Sequence, residues 1–196
     1  DLLEPGYLPL ETGIARTPTG ALSVAVLTQW PDTTPEMIDW WFGWHINSTE
    51  RYKLWHPQAH YFAQARFDLS EMTSLTDRQR YIGNTSWVDE YVSFLPSRLA
   101  ITFHEPADIG LGRDDLEAAG YGTAVCAIVT DSDHGHELSR LVHAVRLTAD
   151  GCEMRSRFIF GPDIPDVIGP LMLDHCWTEM THLASFLPRL HEIGRA

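Results

Sequence analysis

His175 and Glu179 stand four residues apart in Leu171-Met-Leu-Asp-His-Cys-Trp-Thr-Glu-Met-Thr-His-Leu183. On a helix that spacing points both side chains the same way. Leu171 and Leu183 continue the same stripe on either side, so the stripe faces an apolar interior. A carboxylate placed there is costly unless it is paired or bound to a cation. An imidazole and a carboxylate so placed form half of a metal site, or else a helical ion pair. A metal site needs a second half from elsewhere in the chain.

Strand parity supplies candidates for it. In Ser86-Trp-Val-Asp-Glu-Tyr-Val92, Glu90 shares a face with Val88 and Val92, while Asp89 lies with Trp87 and Tyr91. If the valines face the core, Glu90 is an inward carboxylate. In Leu141-Val-His-Ala-Val-Arg-Leu147, His143 alternates with Leu141, Val145 and Leu147 and also turns inward. The segment Glu50-Arg-Tyr-Lys-Leu-Trp-His-Pro-Gln-Ala-His60 adds Tyr52, His56 and His60, with His45 shortly before it. Zinc favours this mixture of neutral imidazoles and carboxylates.

The elements that must position these groups follow from pattern. Residues 1–20 carry three prolines and three glycines and read as an extended arm; residues 21–196 read as one domain. Leu22, Val24 and Val26 alternate as a strand. Asp32-Thr-Thr-Pro-Glu36 is a helix start, with Thr33 or Thr34 as cap and Pro35 in the first turn. The helix it opens runs from Met37 to about Arg51 and carries Trp40, Trp41, Phe42 and Trp44. From Pro57 to about Arg80 the chain reads as irregular, followed by strands at 86–94 and 98–104, a Gly-rich loop at 110–122, and a strand at 123–130. Residues 141–148 and 152–160 form a hairpin across Ala149-Asp-Gly151. A long terminal helix starts near Asp166, with a kink expected at Gly169-Pro170 and an end near Pro188. The order is α+β: a curved antiparallel sheet wrapping a terminal helix, with a cavity between them.

Composition narrows the function. A chain of 196 residues, 44% hydrophobic, suits a single domain with a sizeable core. Its formal charge of −13 argues against a nucleic-acid partner. There is no apolar run of bilayer length, and the start has no signal-peptide pattern, so a cytoplasmic protein is expected. Cys126, Cys152 and Cys176 have no metal or disulfide spacing and read as free thiols. His134-Gly-His136 beside Asp131 and Asp133 reads as a solvated turn. The arm and the aromatic helix suggest a homodimer.

Asp39-Trp-Trp-Phe-Gly-Trp-His45, Arg51-Tyr-Lys-Leu-Trp-His-Pro-Gln-Ala-His60, Met154-Arg-Ser-Arg-Phe158 and the His175–Glu179 helix together resemble the 2,4-diacetylphloroglucinol hydrolase family, which includes phloretin hydrolase. The resemblance runs from about residue 20 to 190. It implies a helix-grip (Bet v 1-like) fold and a zinc-dependent hydrolase that cleaves the carbon–carbon bond between a phenolic ring and an acyl group. It also implies the metal ligands His60, Glu90, His175 and Glu179, with His56 as rival to His60. Tyr52 and His143 are the implied catalytic residues. Trp41, His56 and Phe158 are the expected pocket residues for a small aromatic or polyketide-like substrate, Phe158 standing where the family has a second tyrosine. The alternative is a cyclase or carrier of the same fold that binds such a ligand without hydrolysing it.

Overall fold

The structure of the chain is a computed structural model that describes residues 2–195. Eight strands form a single antiparallel sheet: β1 (Gly13–Arg16), β2 (Leu22–Pro31), β3 (His60–Ala65), β4 (Thr85–Val92), β5 (Leu95–His104), β6 (Tyr121–Asp131), β7 (Glu137–Thr148) and β8 (Gly151–Phe160). Their spatial order is β1-β2-β8-β7-β6-β5-β4-β3. Among the described residues five α-helices accompany them, with a short 3-10 helix at Pro106–Ile109: α1 (Pro35–His45), α2 (Thr49–Trp55), α3 (Asp77–Tyr81), α4 (Arg113–Ala118) and α5 (Ile168–Gly194). The sheet curls around α5, which packs most heavily against β2 and also meets β1, β4, α1 and α2. The core lies between them and includes Trp30, Trp41, Met154, Met180, Leu183 and Leu187. Among the described residues no helix is long and apolar enough to cross a membrane.

The hairpin at Ala149-Asp-Gly151 forms as its pattern predicts, pairing β7 with β8. Gly151 is required there, because its φ of 142° disfavours other residues and an added Cβ would lie 2.3 Å from the Trp30 carbonyl. The aromatic helix is shorter than its pattern suggested. It ends at His45, and α2 restarts at Thr49 after Ser48, whose hydroxyl caps it by accepting from the Arg51 amide at 3.3 Å. Asn47 and Ser48 favour this interruption because their side chains compete for backbone groups. The segment after Pro57 is not irregular. It contains β3, whose alternation is hidden by a bulge between His60 and Phe62.

Two proline expectations also change. Pro170 lies in the first turn of α5, where a missing amide proton costs nothing, so no break follows it. The helix continues past Pro188 to Gly194, held by the buried Ala184 and Leu187 just before it. The N-terminal arm is not free either. Leu2 is buried, and its carbonyl accepts from the Tyr121 hydroxyl at 2.8 Å. Glu11 receives Arg155 and Arg157, both at 2.7 Å, on the outer face of β8. The arm and the α1 aromatics are therefore used within the chain itself.

Candidate metal centre

Three separate elements bring four groups together. β3 begins at His60, and its register places His60 opposite Glu90 of β4. Helical spacing on α5 presents His175 and Glu179 to the same point. All four are buried: His60 is 1% exposed, His175 3%, Glu179 6% and Glu90 8%. His60 Nε2 lies 3.4 Å from Glu179 Oε2 and 3.7 Å from Glu90 Oε2. His175 Nε2 lies 3.8 Å from Glu179 Oε2 and 3.9 Å from Glu90 Oε1.

The imidazole of His60 is oriented from behind. Its ring stacks on Tyr52 with centroids 3.7 Å apart and planes 3° from parallel. Its Nδ1 is 3.0 Å from the Tyr52 carbonyl and donates to it, which turns Nε2 toward the two carboxylates. That Nε2 is buried and has no hydrogen-bond partner. Tyr52 also donates its hydroxyl to Glu90, so one residue fixes two of the four groups. Burial, with the Glu90 charge adding to it, pushes the Tyr52 phenol well above its ordinary pKa and keeps it a donor. Burial works against protonation of His60, but Glu179 and Glu90 outweigh it and raise its pKa.

These donors fit a divalent metal. Ligand bonds of 2.0–2.2 Å in a tetrahedral site put neighbouring donor atoms about 3.3–3.6 Å apart. The carboxylate-to-imidazole separations of 3.4–3.9 Å are close to that span. His60, Glu90 and His175 also offer ligand atoms that all lie within 4.8 Å of one another. Two buried carboxylates facing two imidazoles need positive charge to offset the cost of their burial. His175 Nδ1 has no partner of its own, so its ring lacks the second-shell support that Tyr52 gives His60.

The group opens onto a cavity of about 220 Å³ whose wall includes Tyr52, Glu90, His143, Phe158, His175 and Glu179. His143 lies opposite Ser156 in the β7–β8 register, and its Nδ1 is 2.8 Å from the Ser156 hydroxyl. Burial lowers the His143 pKa to about 3, so the ring is neutral at physiological pH. Phe158 packs edge-on against it, with centroids 5.7 Å apart.

Two expected pocket residues lie elsewhere. Trp41 does not line the cavity. It is fully buried behind it, stacked on His45 at 4.7 Å, because the inner face of α1 turns toward α5. His56 also lies off the cavity wall. It ends α2 and stacks on the outer side of His175 at 5.2 Å, with burial lowering its pKa to about 4. Sequence reasoning overlooked Ser156 and left Phe42 and His45 off the cavity wall. The hairpin could have found Ser156, since pairing Thr148 with Gly151 already sets it against His143. His134 and His136 sit in an exposed turn whose amides bind Asp131.

A curled sheet gripping a long helix over a cavity, with a buried group of two imidazoles and two carboxylates, defines a helix-grip protein with a candidate metal site. The crystal structure of Ara h 8.0201 shares this fold, with a TM-score of 0.52 at 9% identity over 84% of this chain and 96% of that one. The family model for the DAPG hydrolase PhiG domain matches residues 1–192, and the chain belongs to that family. It is 31% identical to a 2,4-diacetylphloroglucinol hydrolase of Pseudomonas protegens over 97% of this chain and 70% of that protein. It is 30% identical to the phloretin hydrolase of Eubacterium ramulus over 94% of this chain and 72% of that protein. Both relatives are longer, and the first alignment needs 220 positions to match 97% of the chain, so that relative carries insertions within the shared region.

Proposed function

We propose that the chain is a metal-dependent hydrolase that cleaves the carbon–carbon bond between a phloroglucinol-type ring and an acyl group, releasing a carboxylic acid. One observation carries this reading: His60 Nε2 is buried, oriented and unpartnered, facing two carboxylates at the edge of a cavity. The names of the relatives supply the substrate class.

A zinc or similar ion held by His60, Glu90, His175 and Glu179 supplies Lewis-acid polarisation and a more acidic water when bound. The remaining work falls to the chain. Water adds to the acyl carbon, the ring–acyl bond breaks, and its electron pair passes to the ring carbon, which takes up a proton. Keto tautomerisation of a ring hydroxyl makes that carbon an acceptable leaving group. His143, neutral and held by Ser156, is placed to move the proton. Tyr52 fixes Glu90 and His60 and presents its phenol at the cavity wall. Phe42, Phe158 and their neighbours exclude bulk water and bracket a flat ring.

The test is elemental analysis of purified protein, with His175→Ala and Glu179→Ala beside the wild type, followed by turnover of acylphloroglucinols. The expected result is about one divalent ion per chain, lost in both variants. Acid release should disappear with it. Wild type that stays metal-free after reconstitution refutes the proposal. Ligand binding without acid release by the metal-loaded protein leaves a carrier or cyclase in its place.

A further inference from the structure

The cavity changes character along its length. At its inner end the wall is aromatic and polar, formed by Phe42, His45, Tyr52, His143 and Phe158, all buried. Toward the start of α5 the wall becomes mostly aliphatic, with Leu99, Ile101, Leu138, Ile164, Ile168 and Met172 beside Phe160. Five of these six are only half-buried, although their side chains point into the cavity. In the sheet α5 packs on β1, β2 and β4 and α1 on β6 and β7, and inward side chains of β5 to β7 outside those contacts line the cavity.

The metal group adjoins both parts of the wall, since Tyr52 is hydrogen-bonded to Glu90 and Leu99 is the next inward residue after the one opposite Glu90. Ser97 of β5 is opposite Glu90, and Leu99 and Ile101 follow on the same face. On α5, Met172 and Ile168 precede His175 by three and seven residues. At 1.5 Å per residue, Ile168 is about 10 Å along the helix from the metal group. An acetyl group at the metal could not reach it. A phenolic ring suits the strip poorly, because its hydroxyl-bearing lining is Ser86, Ser97 and Ser139, and Ser86 already donates to the Ile46 carbonyl.

We propose that the aliphatic strip from Leu99 to Ile168 is an acyl-chain subsite, and that the favoured substrate carries an alkanoyl chain much longer than acetyl. This rests on the hydrolase reading for its orientation: the ring enters the aromatic end, the carbonyl sits at the metal group, and the chain runs toward the start of α5. The chain covers aliphatic side chains that are otherwise exposed to water, so each methylene buried adds binding energy.

Calorimetric binding of a 2-acylphloroglucinol series, from acetyl through butanoyl and hexanoyl to octanoyl, tests the subsite on chelator-treated protein that cannot turn over. Affinity is expected to rise up to about fourfold per methylene, and roughly a hundredfold or more from acetyl to octanoyl. Leu99→Gln should cut the octanoyl-to-acetyl affinity ratio about tenfold, as expected when a polar group replaces a chain contact. Leu147→Gln, near the far end of β7, off the cavity wall and 65% exposed, should leave the ratio unchanged. Affinities that are flat across the series overturn the subsite, whatever the turnover assay shows. The same ratio loss in both variants overturns it as well. Acid release by the zinc-reconstituted protein judges the hydrolase reading separately.

Discussion

Replacing Glu11 by glutamine tests whether the N-terminal arm is a structural clasp. The Glu11 side chain is 11% exposed and accepts from Arg155 Nη2 and Arg157 Nη2, both at 2.7 Å, from Arg155 Nε at 3.0 Å and from the Leu8 amide at 2.6 Å. Burial opposes its ionisation, but these donors prevail and lower its pKa from 4.5 to about 2. A difference of that size is worth at most about 3 kcal/mol of folding free energy at neutral pH, less where solvent screens the pair. Because the folded pKa is the lower one, this contribution is complete above the unfolded value and fades as pH falls through the folded value. At pH 3 about 1.5 kcal/mol of it remains. Glutamine imitates the protonated carboxyl and leaves Arg155, which is fully buried, without its carboxylate. Losing one partner of a buried pair costs about 3–5 kcal/mol, in line with the linkage figure. Urea unfolding of wild type and Glu11→Gln, in chelator at pH 7 and pH 3, measures the difference. The loss should be about 3 kcal/mol at pH 7 and about half that at pH 3. A loss independent of pH, or one below about 0.5 kcal/mol at pH 7, refutes the ion-pair account.

Tyr52→Phe removes the hydroxyl that Glu90 accepts but keeps the ring stacked on His60. Metal affinity, read by chelator competition, should fall about 10- to 100-fold, and unchanged affinity would remove Tyr52 from the support of the site. Pro188→Ala restores an amide donor inside α5, so thermal unfolding should shift upward by roughly 2–8 °C. No upward shift would mean that Pro188 costs α5 nothing where it stands.

Much of the site was legible because it depends on short-range periodicity. Helical spacing alone aligns His175 with Glu179, and strand parity alone turns Glu90 and His143 inward. The β7–β8 hairpin was marked by its turn residues, and its register even implies the contact between His143 and Ser156. His60 was harder to place. The bulge that brings it opposite Glu90 also breaks the two-residue alternation, so its strand does not read as one. The choice between His56 and His60, four residues apart, was open for the same reason. Only the pairing of β3 with β4 turns His60 toward Glu90 and sends His56 behind His175.

What the sequence determined by itself was most of the sheet and the terminal helix, the inward faces that carry Glu90, His143, His175 and Glu179, and the acid–imidazole chemistry they bring, because those follow from local backbone geometry. What the tertiary structure decided was where these faces meet. Trp41 is as aromatic as any pocket residue, yet packing against Trp55 and Phe186 seals it in the core. The aliphatic strip on β5 looks like ordinary core until α5 is seen to pack beside β2 and leave it uncovered. Which apolar surface is core and which is cavity depends on how distant elements share space, and residue type and spacing do not encode that.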